Sequence, residues 1–146
     1  MQDTIKREIE ITASKEQIFE AIADPKKVVL WFPDKVEGSY KVGEQPIFDF
    51  GEHGKNQIYI QDSKPYEYFS YRWVPGSNHF TGDVLSVANT LVEFTIKEIK
   101  KGVCKVTLTE SGFSKLPKEV AEGKFQQNSK GWDFMLGRLA EQFDGV

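Results

Sequence analysis

The sequence predicts an α+β fold: a curved antiparallel sheet of about six to seven strands wrapped around a long C-terminal helix, with two short helices after the first strand. Three observations predict it. Residues 90–99 and 103–110 alternate apolar and polar side chains on either side of Lys100-Lys101-Gly102, the pattern of a half-buried hairpin. Near the C-terminus, Phe125, Trp132, Met135, Leu136, Leu139 and Phe143 recur at three-, four- and seven-residue spacings, one stripe of an amphipathic helix. The strands follow one another through short turns, so they pair antiparallel, and the last helix must cover their apolar face.

Taken in order, the elements read as follows. Ile5, Ile9 and Ile11 share one parity with Arg7, opposite Lys6, Glu8 and Glu10, which is a half-buried strand. Ser14-Lys15-Glu16-Gln17 fits the S-x-x-Q capping box, which satisfies the orphan donors of a helix start, and Ile18, Phe19 and Ile22 give that helix its apolar face. Asp24-Pro25 ends it, because a residue before proline avoids the helical region. A short apolar turn runs from Lys26 to Phe32 before Pro33. Segments 36–41, 46–50, 57–62 and 67–74 read as short strands of a meander, punctuated by Gly43-Glu44 and the stretch from Gly51 to Gly54. Residues 75–89 read as a loop, in which Val84 to Val87 offers a further short strand. Pro117 suits the start of the final helix.

With 146 residues, the chain has the length of one ordinary domain, expected over 1–146, and needs no staples to bury a core. A net charge of −3 without a basic stripe argues against nucleic acid. The lone Cys104 cannot form an internal disulfide, no apolar run approaches a membrane span, and Met1-Gln2-Asp3-Thr4 does not begin like a signal peptide. A cytoplasmic protein is expected. Of the two histidines, His53 lies in a turn and His79 in the long loop, with no spacing that relates them. Neither H-E-x-x-H nor C-x-x-C is present, so no metal is expected. Nucleotide-binding glycine motifs and a G-x-S-x-G elbow are also missing, and no cofactor or catalytic residue is assigned.

The order of elements carries a resemblance. The opening strand into Ser14-Lys15-Glu16-Gln17-Ile18-Phe19, Trp31-Phe32, and Pro65 leading into Phe69-Ser70-Tyr71-Arg72-Trp73 are part of it. Thr90-Leu91-Val92-Glu93-Phe94, Thr107-Leu108-Thr109-Glu110-Ser111-Gly112-Phe113 and the Gly131-Trp132 pair complete it. In this order the chain resembles the START-like (SRPBCC, helix-grip) superfamily. Within it, the chain is similar to bacterial homologues of the C-terminal domain of the activator of the heat-shock-protein-90 ATPase. The resemblance implies a cavity between sheet and C-terminal helix and a link to the stress response. The full chaperone activator carries a further N-terminal domain that does much of its work on the chaperone. These residues resemble its C-terminal part alone, so direct chaperone activation is not expected.

The candidate ligand-binding residues are Phe48, Phe50, Phe69, Tyr71, Trp73, Val92, Phe94, Glu110, Trp132 and Leu136. Phe69, Tyr71 and Trp73 share a parity with the inward Val92, Phe94 and Ile96, a set that either lines a pocket or fills a core. Glu110 continues the inward parity of Val106 and Leu108; it is either a buried carboxylate or a strand end open to water. Arg72 and Glu93 lie on outward parities, on a solvated face. Gly131 inside a helix costs about 1 kcal/mol against alanine, which a close approach of helix to sheet would justify. The expected function is binding of a small hydrophobic or amphipathic molecule. The alternatives are a cyclase- or dehydratase-like enzyme on an aromatic or lipid-like substrate, as in other START-like families, or an interaction module for a chaperone or client. The protein is expected to be a monomer or homodimer.

Overall fold

In the computed structural model, which describes residues 3–75 and 79–144, seven strands form one sheet in the order β1-β7-β6-β5-β4-β3-β2, every pair antiparallel. The strands are β1 (Thr4–Ile11), β2 (Lys35–Glu37), β3 (Ile47–Asp49), β4 (Lys55–Lys64), β5 (Tyr68–Trp73), β6 (Thr90–Lys100) and β7 (Val103–Ser111). The helices α1 (Lys15–Ala23) and α2 (Pro25–Val28) follow β1, and α3 (Lys118–Glu141) ends the fold. This is the helix-grip architecture that the sequence predicts.

Local chemistry explains the element boundaries. Ser14 caps α1 with its hydroxyl accepting from the Gln17 N–H, and the Gln17 side chain accepts from the Ser14 N–H, so both halves of the capping box form. Asp24 ends α1 and caps α2, accepting from the Lys26 N–H at 2.9 Å. The turn after α2 brings in Trp31, fully buried, whose indole donates to the Ala21 carbonyl at 2.7 Å. After β7 the chain turns at Gly112, with φ 103° and the Asn89 carbonyl 3.3 Å from where a Cβ would stand, so only glycine fits without strain.

The structure departs from the sequence reading in four places. The strand expected over 36–41 stops at Glu37, because Gly38 takes a positive φ and Tyr40 leaves the sheet to donate to the Ile22 carbonyl at 3.0 Å. Val84–Ser86 is a 3-10 turn rather than a strand, held by Asp83 accepting from the Leu85 N–H; it is Phe80 that bridges to Asn56 beside β4. Glu93 is not simply solvated: it accepts from Tyr68 at 2.5 Å and from Thr109 at 3.2 Å across the outer face of the sheet. Finally, Gly131 makes no close approach to the sheet. It is exposed, and a Cβ there would meet nothing within 4 Å. The same open space surrounds Gly123 and Gly137, and α3 follows Pro117, an N-cap that supplies no side-chain hydrogen bond.

The register sets the interior. Ile60, Tyr71, Val92, Glu110 and Ile5 stand side by side across five strands, and Phe69, Phe94 and Leu108 form the adjacent row. Against them α3 lays Ala121, Trp132, Leu136 and Leu139. Much of the expected pocket set is therefore packed core. Phe48, Phe69, Tyr71, Val92, Phe94 and Leu136 are each at most 2% exposed. The Tyr71 hydroxyl is buried without a hydrogen-bond partner among the described residues. Burial, with the Glu110 carboxylate nearby, pushes it well above the usual tyrosine range.

Candidate functional site

Glu110 is the polar centre of the molecule. It is fully buried on the concave face, where register places it beside the Trp73–Thr90 pair. From α3, Asn128 and Trp132 reach the same carboxylate, because residues four apart share a helix face. One oxygen accepts from Trp132 Nε1 at 2.8 Å and Asn128 Nδ2 at 3.1 Å. The other accepts from Thr90 Oγ1 at 2.6 Å, Trp73 Nε1 at 2.8 Å and Asn128 Nδ2 at 3.2 Å. A carboxylate taken out of water is tolerated only when hydrogen bonds replace its hydration, and four side chains from two strands and a helix converge to do so.

The two indoles spend their N–H groups on Glu110. Their centroids lie 5.8 Å apart with planes inclined at 33°, and their remaining edges and faces border a cleft. The inner chamber, of about 230 Å³, is walled by Phe32, Phe50, Trp73, Trp132 and Met135, with Gly131 leaving one side open. Trp132 is only 2% exposed, so Trp73 offers more of the open aromatic surface. Phe32 packs on both indoles, at 5.9 and 5.3 Å, and on Phe50 at 5.5 Å. The chamber is continuous with a larger groove toward the N-terminal end of α3 (the outer groove), of about 590 Å³, which shares Phe50, Asn56, Trp73, Gln127 and Asn128 with it. Lys124, His53, His79 and Glu52 line the outer groove only.

Of the residues singled out from the sequence, Phe50, Trp73 and Trp132 line the chamber and Glu110 lies beneath it; the other six belong to the core. His53 and His79, which no spacing related, line one groove. Sequence reasoning missed Phe32, Asn56, Gln127, Asn128 and Met135 as cleft residues. One signal was present on α3: Lys124, Asn128 and Gly131 fall at helical spacing and run into Met135 of the apolar stripe, a mixed strip where a plain solvated face would be charged. Asn56 gives no such signal: it stands near the start of β4 opposite the inward Phe48, and its place at the cleft follows from that register. Among the described residues no group of three or more His, Cys, Asp or Glu is placed to hold a metal, and no helix is long and apolar enough to cross a membrane.

The fold recurs in solved structures. DynU16, from the dynemicin biosynthetic locus, matches at TM-score 0.77 and 22% identity over 99% of this chain and 48% of its own, so this chain spans about half of it. The Aha1 dimer from Colwellia psychrerythraea matches at TM-score 0.78 and 17% identity, covering 99% of this chain and 98% of that one. An HSP90 activator from Plasmodium falciparum matches at TM-score 0.74 and 16% identity, covering 94% of each chain. Among curated proteins no sequence matches this chain. The family model described as Activator of Hsp90 ATPase homolog 1-like protein matches residues 12–144, and with nearly the whole chain inside that match, the protein belongs to this family.

Proposed function

We propose that the protein binds a small hydrophobic or amphipathic molecule carrying a planar ring, seated in the cleft between the sheet and α3. The observation that carries the reading is the pair of indoles fixed by one buried carboxylate at the wall of an apolar chamber that opens outward. Rings held in place before binding lose little freedom when a ligand arrives, which favours affinity. Ligand sites of this kind are mostly apolar with a few placed polar groups, here Asn56, Gln127 and Asn128. Binding is favoured over turnover because Glu110, the carboxylate to which both chamber indoles donate, is occupied by four donors. The reading carries with it a cytoplasmic protein, monomeric or homodimeric.

The test is a thermal-shift screen against aromatic, polyketide-like and fatty-acid compounds, followed by titration of any hit against Gly131→Leu. A ligand at about 100 times its Kd adds about 2.7 kcal/mol, a visible rise in Tm. The leucine side chain projects into the chamber's open side and should weaken the hit at least tenfold without unfolding the protein. A flat screen, or unchanged affinity in the variant, refutes the site.

A protein-docking reading has one observation in its favour: Phe134 on α3 is 64% exposed, beside Met135 and Arg138 in a neighbouring groove. Titration with a purified heat-shock-protein-90 chaperone, wild type against Phe134→Ser, decides it.

A further inference from the structure

Two side-chain amides on α3 have their orientation dictated by their neighbours. Asn128 Nδ2 lies 3.1 and 3.2 Å from the Glu110 oxygens, which already accept two indole N–H groups and a hydroxyl. A carboxylate surrounded by donors takes only the NH2 end of an amide, so the Asn128 carbonyl oxygen is turned away from it. Gln127 is turned the opposite way. Its oxygen accepts from Lys124 Nζ at 3.0 Å, and an ammonium offers donors only, so the Gln127 NH2 is turned outward. Both residues stand where the inner chamber meets the outer groove, and Lys124 stands in the outer groove alone. Glu52, the acidic side chain of that groove, is 90% exposed and lies 4.0 Å from His53 Nε2.

From the chamber toward the N-terminal end of α3, the cleft thus presents aromatic walls, then the Asn128 acceptor, then the Gln127 donors and a cation. We infer that the ligand is an acidic amphiphile: a ring-bearing apolar body in the chamber, a hydroxyl or N–H beside it for Asn128, and a carboxylate at the outer end for Gln127 and Lys124. This rests on the binding reading above and adds the chemical class of ligand to it.

The chemistry can be varied on the ligand, which leaves the fold untouched. Isothermal titration calorimetry compares four probes: naphthylacetic acid bearing a ring hydroxyl, its O-methyl ether, its methyl ester, and naphthalene. The ether is expected to bind about tenfold more weakly than the hydroxy acid, and the ester about fivefold, the scale of one neutral and one exposed charge-assisted contact. In Lys124→Met the ester penalty should shrink to that of the neutral Gln127 contact alone while the ether penalty remains in full. Equal affinity of acid, ether and ester, with naphthalene also bound, overturns this inference and leaves the binding reading standing. Loss of one penalty alone in the wild type overturns the half that it tests. Failure of all four probes overturns both readings.

Discussion

Replacing Glu110 by glutamine keeps the shape of the side chain and removes one of its acceptors, so it isolates what the carboxylate does. With the new NH2 in place of the first oxygen, it faces the Trp132 N–H, 2.8 Å away. In place of the second oxygen it faces the Trp73 N–H, also at 2.8 Å. Thr90 can rotate its hydroxyl to accept, and Asn128 can flip its amide, but an indole only donates. Either arrangement therefore leaves one buried indole N–H unmatched, at a cost of about 1–3 kcal/mol. The surviving bonds fall from charge-assisted to neutral strength, roughly another 1 kcal/mol each. Relief from burying a charge offsets part of this. The expected loss is about 2–4 kcal/mol, or a fall in Tm of about 6–15 °C for a domain of this size. Guanidinium unfolding measures the first figure. Near-ultraviolet circular dichroism should also lose signal, because two of the three tryptophans depend on Glu110 while Trp31 is anchored on Ala21. A loss under about 0.5 kcal/mol with an unchanged spectrum would refute the idea that this carboxylate orients the indoles.

Four further outcomes are expected. Gly131→Ala should stabilise the protein by about 0.5–1 kcal/mol in denaturant titration, since the methyl meets nothing and helix propensity improves. Tyr71→Phe should be neutral or stabilising by up to about 1–2 kcal/mol, because the hydroxyl removed is buried without a described partner; a loss of similar size would expose a hidden bond. Asp3 accepts from the Ser114 hydroxyl and N–H and from the Gly112 N–H, bonds that hold its carboxyl below the usual range. Its contribution is then present above the ordinary aspartate value of 3.8 and lost as pH falls through the lower folded-state value, so Asp3→Asn should cost stability at neutral pH and converge on wild type in acid. Cys104 is fully buried, and burial pushes its thiol up, so an aromatic disulfide reagent should label it slowly in the native protein and rapidly in denaturant.

Much of the fold was legible because it rests on local patterns. The capping box at Ser14, the alternation in β6 and β7 and the stripe on α3 each encode an element within one short stretch of chain. The short strands β2 and β3 were less legible, since three residues carry little periodicity and Tyr40 obeys a tertiary contact with Ile22. The site was legible only in part. Parity puts Trp73 and Glu110 on the inner face, but it cannot tell a wall from a filled core, which depends on how Phe32 and Phe48 pack from elsewhere in the chain. Nor does parity reveal that Glu110 will find four donors, all of them on other elements and far away in sequence.

The open space around Gly123, Gly131 and Gly137 bears on the order in which the molecule is built. Three glycines handicap α3 by about 3 kcal/mol against alanine, so as an isolated segment it has little reason to be helical. Its structure is borrowed from the sheet through Ala121, Trp132, Leu136 and Leu139. The hairpin of β6 and β7, with neighbouring strands and a short turn, can assemble first and serve as the template. In the native protein the amides of α3 should then exchange with solvent through partial detachment of the helix, ahead of those in β6 and β7, and each such excursion also uncovers the chamber.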